Sequence, residues 1–284
     1  MVYLITASII WSFTFGLIKY NLANLDANFI AFLRSLFALP IPLFFLKTSN
    51  LDKKQILTFI VLGAIQYGIM YLSWTRSFFY INAHLVGLFT AMTPLYITLI
   101  SAISQKRLSW LNVFTSTASF IAISIIYYND FNSVPGLLQG FILVQIADIS
   151  FAFGQLTYKS FRDKLPRLQD HEVFALMMFG STIVTAIATA SSNGWDFFAK
   201  ISPEQFGIIL YLGIVSTGLC LFLWNKGACM VNNGTLAIMN NLKIPLGVLV
   251  SIFIFQEKAD LIKVIASLMI ILVCVFVHEK DLKS

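Results

Sequence analysis

Long apolar runs recur along this chain, at about 2–18, 28–46, 56–79, 83–103, 109–128, 136–158, 171–190, 205–228, 234–255 and 262–278. Short turn-rich or charged pieces separate them, the most charged being 159–170 and the longest 191–204. A hydrocarbon core ~30 Å thick is crossed by about 20 apolar residues of helix, so the pattern predicts ten transmembrane helices joined by short loops. The ninth run departs from its own pattern: it carries Asn240, Asn241 and Lys243 near its middle and Pro245 just after them. A lysine at that depth costs roughly 2.5–3.5 kcal/mol on insertion scales and must face protein or water. Pro245 has no N–H to offer the carbonyl of Asn241, which frees an acceptor at the same level.

Sliding the chain back by 151 positions lays residues 82–107 on 233–258 without a gap. Pro94 falls on Pro245, Asn82 on Asn233, Gln105 on Gln256 and Arg107 on Lys258. A weaker match at an offset of 140 sets Ala7 on Ala147, Phe13 on Phe153 and Lys19 on Lys159. The expectation is a duplicated chain with repeats at 1–128 and 136–278, each holding one polar, kinked helix. Five spans per repeat is an odd number, so the second repeat enters the membrane in the opposite sense. The predicted fold class is therefore an all-α polytopic membrane protein: ten transmembrane helices as two inverted five-helix repeats.

Composition agrees, with 58% hydrophobic and only 11% charged residues. Basic residues set the orientation. With the N-terminus inside, Lys47, Lys53, Lys54, Lys106, Arg107, Lys159, Arg162, Lys164, Arg167, Lys280 and Lys283 face the cytoplasm, against Lys19, Lys200, Lys258 and Lys263 outside. Both termini are placed in the cytoplasm. The net charge of +6 is spread through these short loops and is no nucleic-acid footprint. Cys220, Cys229 and Cys274 lie inside spans, with no metal-ligand spacing. Motifs of nucleophilic, metal or nucleotide chemistry are absent, so no enzyme, metal or cofactor is expected.

On these features the chain resembles the EamA-type branch of the drug/metabolite transporter superfamily. The matching residues are Arg34 in FIAFLRSLFALPIPL, Pro94, Pro245, and Glu257 closing the ninth span as in the family's Gly-Glu ending. Gln256 stands where that glycine would be, and Lys106 where the family often has glutamate. The resemblance implies secondary transport across a bacterial plasma membrane by alternating access around a central cavity, walled by spans one, three, four, six, eight and nine.

Once the charged residues counted with the loops are set aside, Glu172 and Lys263 at span ends among them, five acidic or basic residues remain within the spans: Arg34, Arg76, Asp148, Lys226 and Lys243. Lys243, with Asn240 at i−3 on the same face and Asn241 beside it, is the candidate contact for a substrate carboxylate or phosphate. The alternative is a buried ion pair with Asp148 in span six, where Gln145, Asp148, Ala152, Gln155 and Lys159 form a stripe at helical spacing. Asp148 is also a candidate carrier of a coupling proton, with a counter-substrate as the other means of coupling. In span three Tyr67, Met70 and Trp74 share a face with Gln66 nearby, and Trp224 and Asn225 occupy the related part of span eight. These suit either cavity walls or core packing. Arg34 is read as tethering helices, Arg76 and Lys226 as lining the mouths, and His84 as an imidazole near the outer surface. Basic groups outnumber the single intramembrane carboxylate, which favours a small anionic or zwitterionic metabolite, a carboxylate or amino-acid-like solute. A nucleotide-linked metabolite or lipophilic drug is the alternative substrate. A membrane sensor or intramembrane enzyme is disfavoured, because the chain holds neither an output domain nor a catalytic cluster.

Overall fold

The computed structural model describes residues 1–126, 135–254, 256 and 260–281, without the side chains of His84 and of residues 279–281. Glu257, Lys258, Lys283 and residues 127–134 lie outside the described residues, as do the side chains of His84 and Lys280. Among the described residues all regular structure is helical. Ten helical spans follow one another: α1 (Val2–Asn21), α2 (Ala27–Leu43), α3 (Lys53–Ser77), α4 (Ala83–Thr90 continued by Thr93–Gln105), α5 (Trp110–Ile126), α6 (Leu137–Lys164), α7 (Asp170–Ser191), α8 (Pro203–Cys229), α9 (Asn233–Phe253) and α10 (Leu261–Asp281).

The caps repeat between the halves. Asp52 and Gln55 close a capping box at the start of α3, and Ser202 and Gln205 do so at the start of α8. α6 outruns its predicted end, carrying Lys159, Arg162 and Lys164 as a continuous helix to Leu165, where Pro166 follows. The residue before a proline disfavours helical dihedrals, and the charged turn adds no penalty where it clears the apolar layer.

The two halves differ at the expected kink: the helix is interrupted in the first and continuous in the second. α4 is interrupted at Ala91 and Met92. Pro94 cannot donate to the Thr90 carbonyl, so the Thr93 hydroxyl does so instead at 2.7 Å. The Leu95 amide turns to Met92 at 2.9 Å. That leaves the Ala91 carbonyl to accept from Asn241 Nδ2 at 3.1 Å. α9 runs without interruption through Pro245.

Two features carry no hydropathy signal. Ala64–Ile69 in α3 and Leu212–Leu219 in α8 are π-helical, so the third helix of each half widens near its middle. Such widenings insert one residue into the helical register and turn side chains that an α-helix would aim elsewhere.

Packing exchanges helices between the halves. α1 lies against α8 and α9, while α6 lies against α3 and α4. α2 crosses α8, and α7 crosses α3. α4, α5, α9 and α10 make a contiguous group, joined to the other helices through α1 and α6. The α3–α7 crossing is close enough that a Cβ on Gly63 would meet the Met177 carbonyl oxygen at 2.0 Å, and one on Gly180 the Ile60 carbonyl oxygen at 1.9 Å. Only glycine fits at either point.

Candidate functional site

Where α1, α2, α3, α4, α6 and α9 converge, they enclose a cavity of about 60 Å³. Its charged lining is Arg34, Asp148 and Lys243; its aromatic lining is Trp11, Phe15, Tyr71, Trp74 and Phe151. Thr14, Thr90 and Thr93 add hydroxyls. Sites for drug-sized ligands typically hold ~300–1,000 Å³, so helices must separate before such a molecule fits.

Lys243 is partly exposed, and its ammonium stands over the rings of Trp11 at 5.1 Å and Phe151 at 5.5 Å. Ring faces attract a cation by their quadrupole but leave its hydrogens unbonded. Asp148 shares the cavity at 4% exposure, and its Oδ2 has no hydrogen-bond partner. Among the described residues the ion pairs are Lys47–Glu172 and Arg162–Asp170; Asp148 and Lys243 do not form one. Arg34 lies over Tyr71 at 4.1 Å and donates from Nε to the Thr217 hydroxyl at 3.3 Å. Its Nη1 has no partner, and neither has the Thr90 hydroxyl. Buried polar atoms are nearly always bonded, so three unmatched ones on a shared cavity mark a place built for a polar ligand or ordered water.

The widened turn of α8 supports this wall from behind. The Ser216 carbonyl accepts from Trp11 Nε1 at 2.7 Å, and the Ser216 hydroxyl pairs with Thr14 at 3.0 Å. The Thr217 hydroxyl donates to Tyr71 at 3.1 Å. α8 thus acts one layer back, and α2 takes its expected place in the wall through Arg34.

Of the nine candidates, Lys243, Asp148 and Trp74 line the cavity. Gln66, Tyr67 and Asn225 make a separate buried knot: Asn225 donates to Tyr67 at 2.5 Å, and Gln66 donates to Asn225 at 3.0 Å. Trp224 is fully buried, bonded through Nε1 to Gln155 at 2.9 Å and packed on Trp11 with centroids 5.0 Å apart. Asn240 donates to the Leu236 carbonyl at 2.8 Å and to Gln155 at 3.4 Å. Asn241 binds Ser119 at 2.6 Å besides the broken turn of α4. Arg76 is exposed, and Lys226 lies over the Tyr3 ring at 4.9 Å.

Sequence pattern does not single out Trp11, Tyr71, Thr90 or Phe151. Two signals point toward them: Phe151 follows Asp148 by three residues, and Thr90 precedes Pro94 by four, where a proline frees a carbonyl. Nothing in the sequence tells which face of α1 meets α6.

Residues 1–128 and 138–278 each match the EamA-like transporter family. The chain is 36% identical over 287 residues to the biotin transporter of Salmonella typhimurium, across 99% of this chain and 93% of that protein. It is 31% identical over 268 residues to the probable biotin transporter of Pseudomonas aeruginosa, across 92% and 91%. It is 27% identical over 278 residues to the S-adenosylmethionine uptake transporter of Rickettsia bellii, across 94% and 88%. A crystal structure 14% identical to this chain superposes with a TM-score of 0.79 over 98% of this chain and 97% of the other, a likeness of fold.

Proposed function

Because this chain belongs to the EamA-like transporter family, a family of multi-pass membrane transporters for small metabolites, we propose that its solute is biotin, moved by secondary transport with alternating access. One observation carries the reading: an unpaired ammonium among aromatic rings shares a cavity with three unmatched polar atoms. Biotin has a chemistry to match. Its carboxylate suits Lys243, its apolar bicycle suits Trp11, Trp74 and Phe151, and its ureido group offers N–H donors to Asp148 and Thr90 and a carbonyl to Arg34 Nη1.

In this reading Gln66, Tyr67, Asn225, Trp224, Asn240 and Asn241 hold the wall and do not touch solute. The repeats, 1–128 and 136–278, supply the equivalent pairs α1 with α6 and α4 with α9, while α2 and α3 join the wall from the first repeat alone, and both termini face the cytoplasm. With no nucleotide-binding motif in the chain, the driving force is a gradient or an exchange.

A zwitterionic solute is the second reading, favoured by the unmatched carboxyl of Asp148, which suits an ammonium. Proteoliposomes loaded with unlabelled biotin separate the two. Labelled biotin should enter by counterflow, desthiobiotin should compete, and biotinamide, which lacks the carboxylate, should compete at least about tenfold less well. Absence of biotin counterflow overturns the biotin reading. Equal competition by the amide removes the carboxylate contact, and inhibition by S-adenosylmethionine in place of desthiobiotin favours the zwitterion.

A further inference from the structure

We propose that Asp148 carries one proton across the membrane with each solute carboxylate, so that transport is an electroneutral carboxylate–proton symport. The proposal rests on the carboxylate reading above and adds the means of coupling.

The geometry starts from a carboxyl that, beside its bond with the Thr93 side chain, keeps one oxygen unmatched. Asp148 is buried, its Oδ2 is unmatched, and it forms no ion pair with the lysine in the same cavity. Lys243 instead faces Trp11 and Phe151. The charged and titratable groups around Asp148 are Lys243 on α9, Arg34 on α2, Tyr71 on α3 and Tyr96 on α4. Arg34 is held by Tyr71 and Thr217, and the Tyr96 phenol donates to Gln145 at 2.8 Å. Lys243 and Asp148 are left as the pair whose charges can be rebalanced.

A solute carboxylate at Lys243 brings a second acid into a cavity that already holds one. Two carboxylates sharing a small, poorly hydrated site cannot both stay ionised. The site therefore takes one negative charge beside Lys243 at a time. When it is empty, that charge is the Asp148 carboxylate. When it is loaded, that charge is the solute carboxylate, and Asp148 is protonated. The cavity carries the same net charge in both forms, so neither the loaded nor the empty carrier moves extra charge through the bilayer, where a bare charge is costly.

The proton balance closes. Water on the entry side gives one proton to Asp148 as one carboxylate binds. Both leave to water on the other side, and the carrier returns empty and deprotonated. On α6 a stripe of polar side chains leads from Asp148 by way of the buried Gln155 to Lys159, which lines a polar vestibule of about 490 Å³ with Asp163 and Asn233.

The test uses purified full-length protein in proteoliposomes, with labelled biotin as probe and the membrane potential clamped by valinomycin and potassium. An acid-outside pH gradient should drive wild-type biotin uptake several-fold above equilibrium, and a potential imposed without a pH gradient should not. Asp148→Asn should exchange biotin more slowly, lose gradient-driven accumulation altogether, and gain a dependence on potential in whatever net flux survives. Asp148→Glu should restore the response to the pH gradient, which separates coupling from folding. A wild type indifferent to the pH gradient overturns the proposal. So does accumulation that persists in Asp148→Asn, or a response that Asp148→Glu fails to restore. Loss of biotin counterflow in the wild type is a different result: it removes the biotin reading, and this coupling with it.

Discussion

Lys243 shows how much one charge decides in a small cavity. An ammonium held by two ring faces has donors to spare, and a charge-assisted hydrogen bond to a carboxylate contributes roughly 1.5–3 kcal/mol. Lys243→Gln keeps most of the side chain and removes the charge, so biotin affinity should fall by about ten- to hundredfold. Because Lys243 has no ion pair to lose, the melting temperature should shift by only a few degrees. Isothermal calorimetry and thermal unfolding of the single variant and of Lys243→Gln with Asp148→Asn check this. Wild-type affinity regained in the double variant would make Lys243 a structural partner of Asp148 after all.

At the scale of the helix, the α3–α7 crossing is the least forgiving contact. The atoms that a new side chain would strike at Gly63 and Gly180 are backbone carbonyls, which cannot turn aside as a flexible side chain can. Gly63→Val or Gly180→Val should therefore cost more than the ~1–3 kcal/mol typical of overpacking and leave little monodisperse protein on size-exclusion chromatography. A Cβ added at Gly207 in α8 would meet no atom within 4 Å, so Gly207→Ala should elute and melt as wild type or slightly better. A monodisperse Gly180→Val protein with unchanged melting would mean that these helices sit farther apart. The widened turns of α3 and α8 belong to this scale too. Each aims polar side chains at the other helix: Gln66 and Tyr67 at Asn225, and Thr217 at Tyr71. Hydropathy is blind to such a turn, because one inserted residue leaves the apolar content of the run unaltered.

For the whole molecule, loop charge sets the expected orientation. The asymmetry of loop lysines and arginines predicts cytoplasmic termini, with Lys200 outside and Arg167 inside. Both residues are exposed, so either position can report. Cys220 and Cys274 are buried and Cys229 is partly exposed, which makes Cys229→Ser the suitable background. In intact cells an impermeant maleimide should label Lys200→Cys strongly and Arg167→Cys only after permeabilisation. The reverse pattern inverts the molecule in the membrane.

By itself the sequence determined that ten apolar helices cross a bilayer and that the chain is built twice. It also determined which few ionisable side chains lie in the spans. These are local properties: length and hydropathy set a span, helical spacing sets a face, and aligned prolines with a gapless polar tail mark a repeat. Only the tertiary structure decided which polar residues meet. Trp74 and Trp224 stand at related depths in the two halves, yet one lines the cavity and the other is sealed behind Trp11. Arg34, expected to tie helices together, reaches the cavity as well as doing so, because it lies along Tyr71. Asn241 is occupied by a turn of α4 that Pro94 breaks. Spacing within a helix says which side chains share a face. The rotation of that helix against its neighbours is set by contacts such as Gly63 on Met177, between residues far apart in the chain, and no reading of one helix at a time contains them.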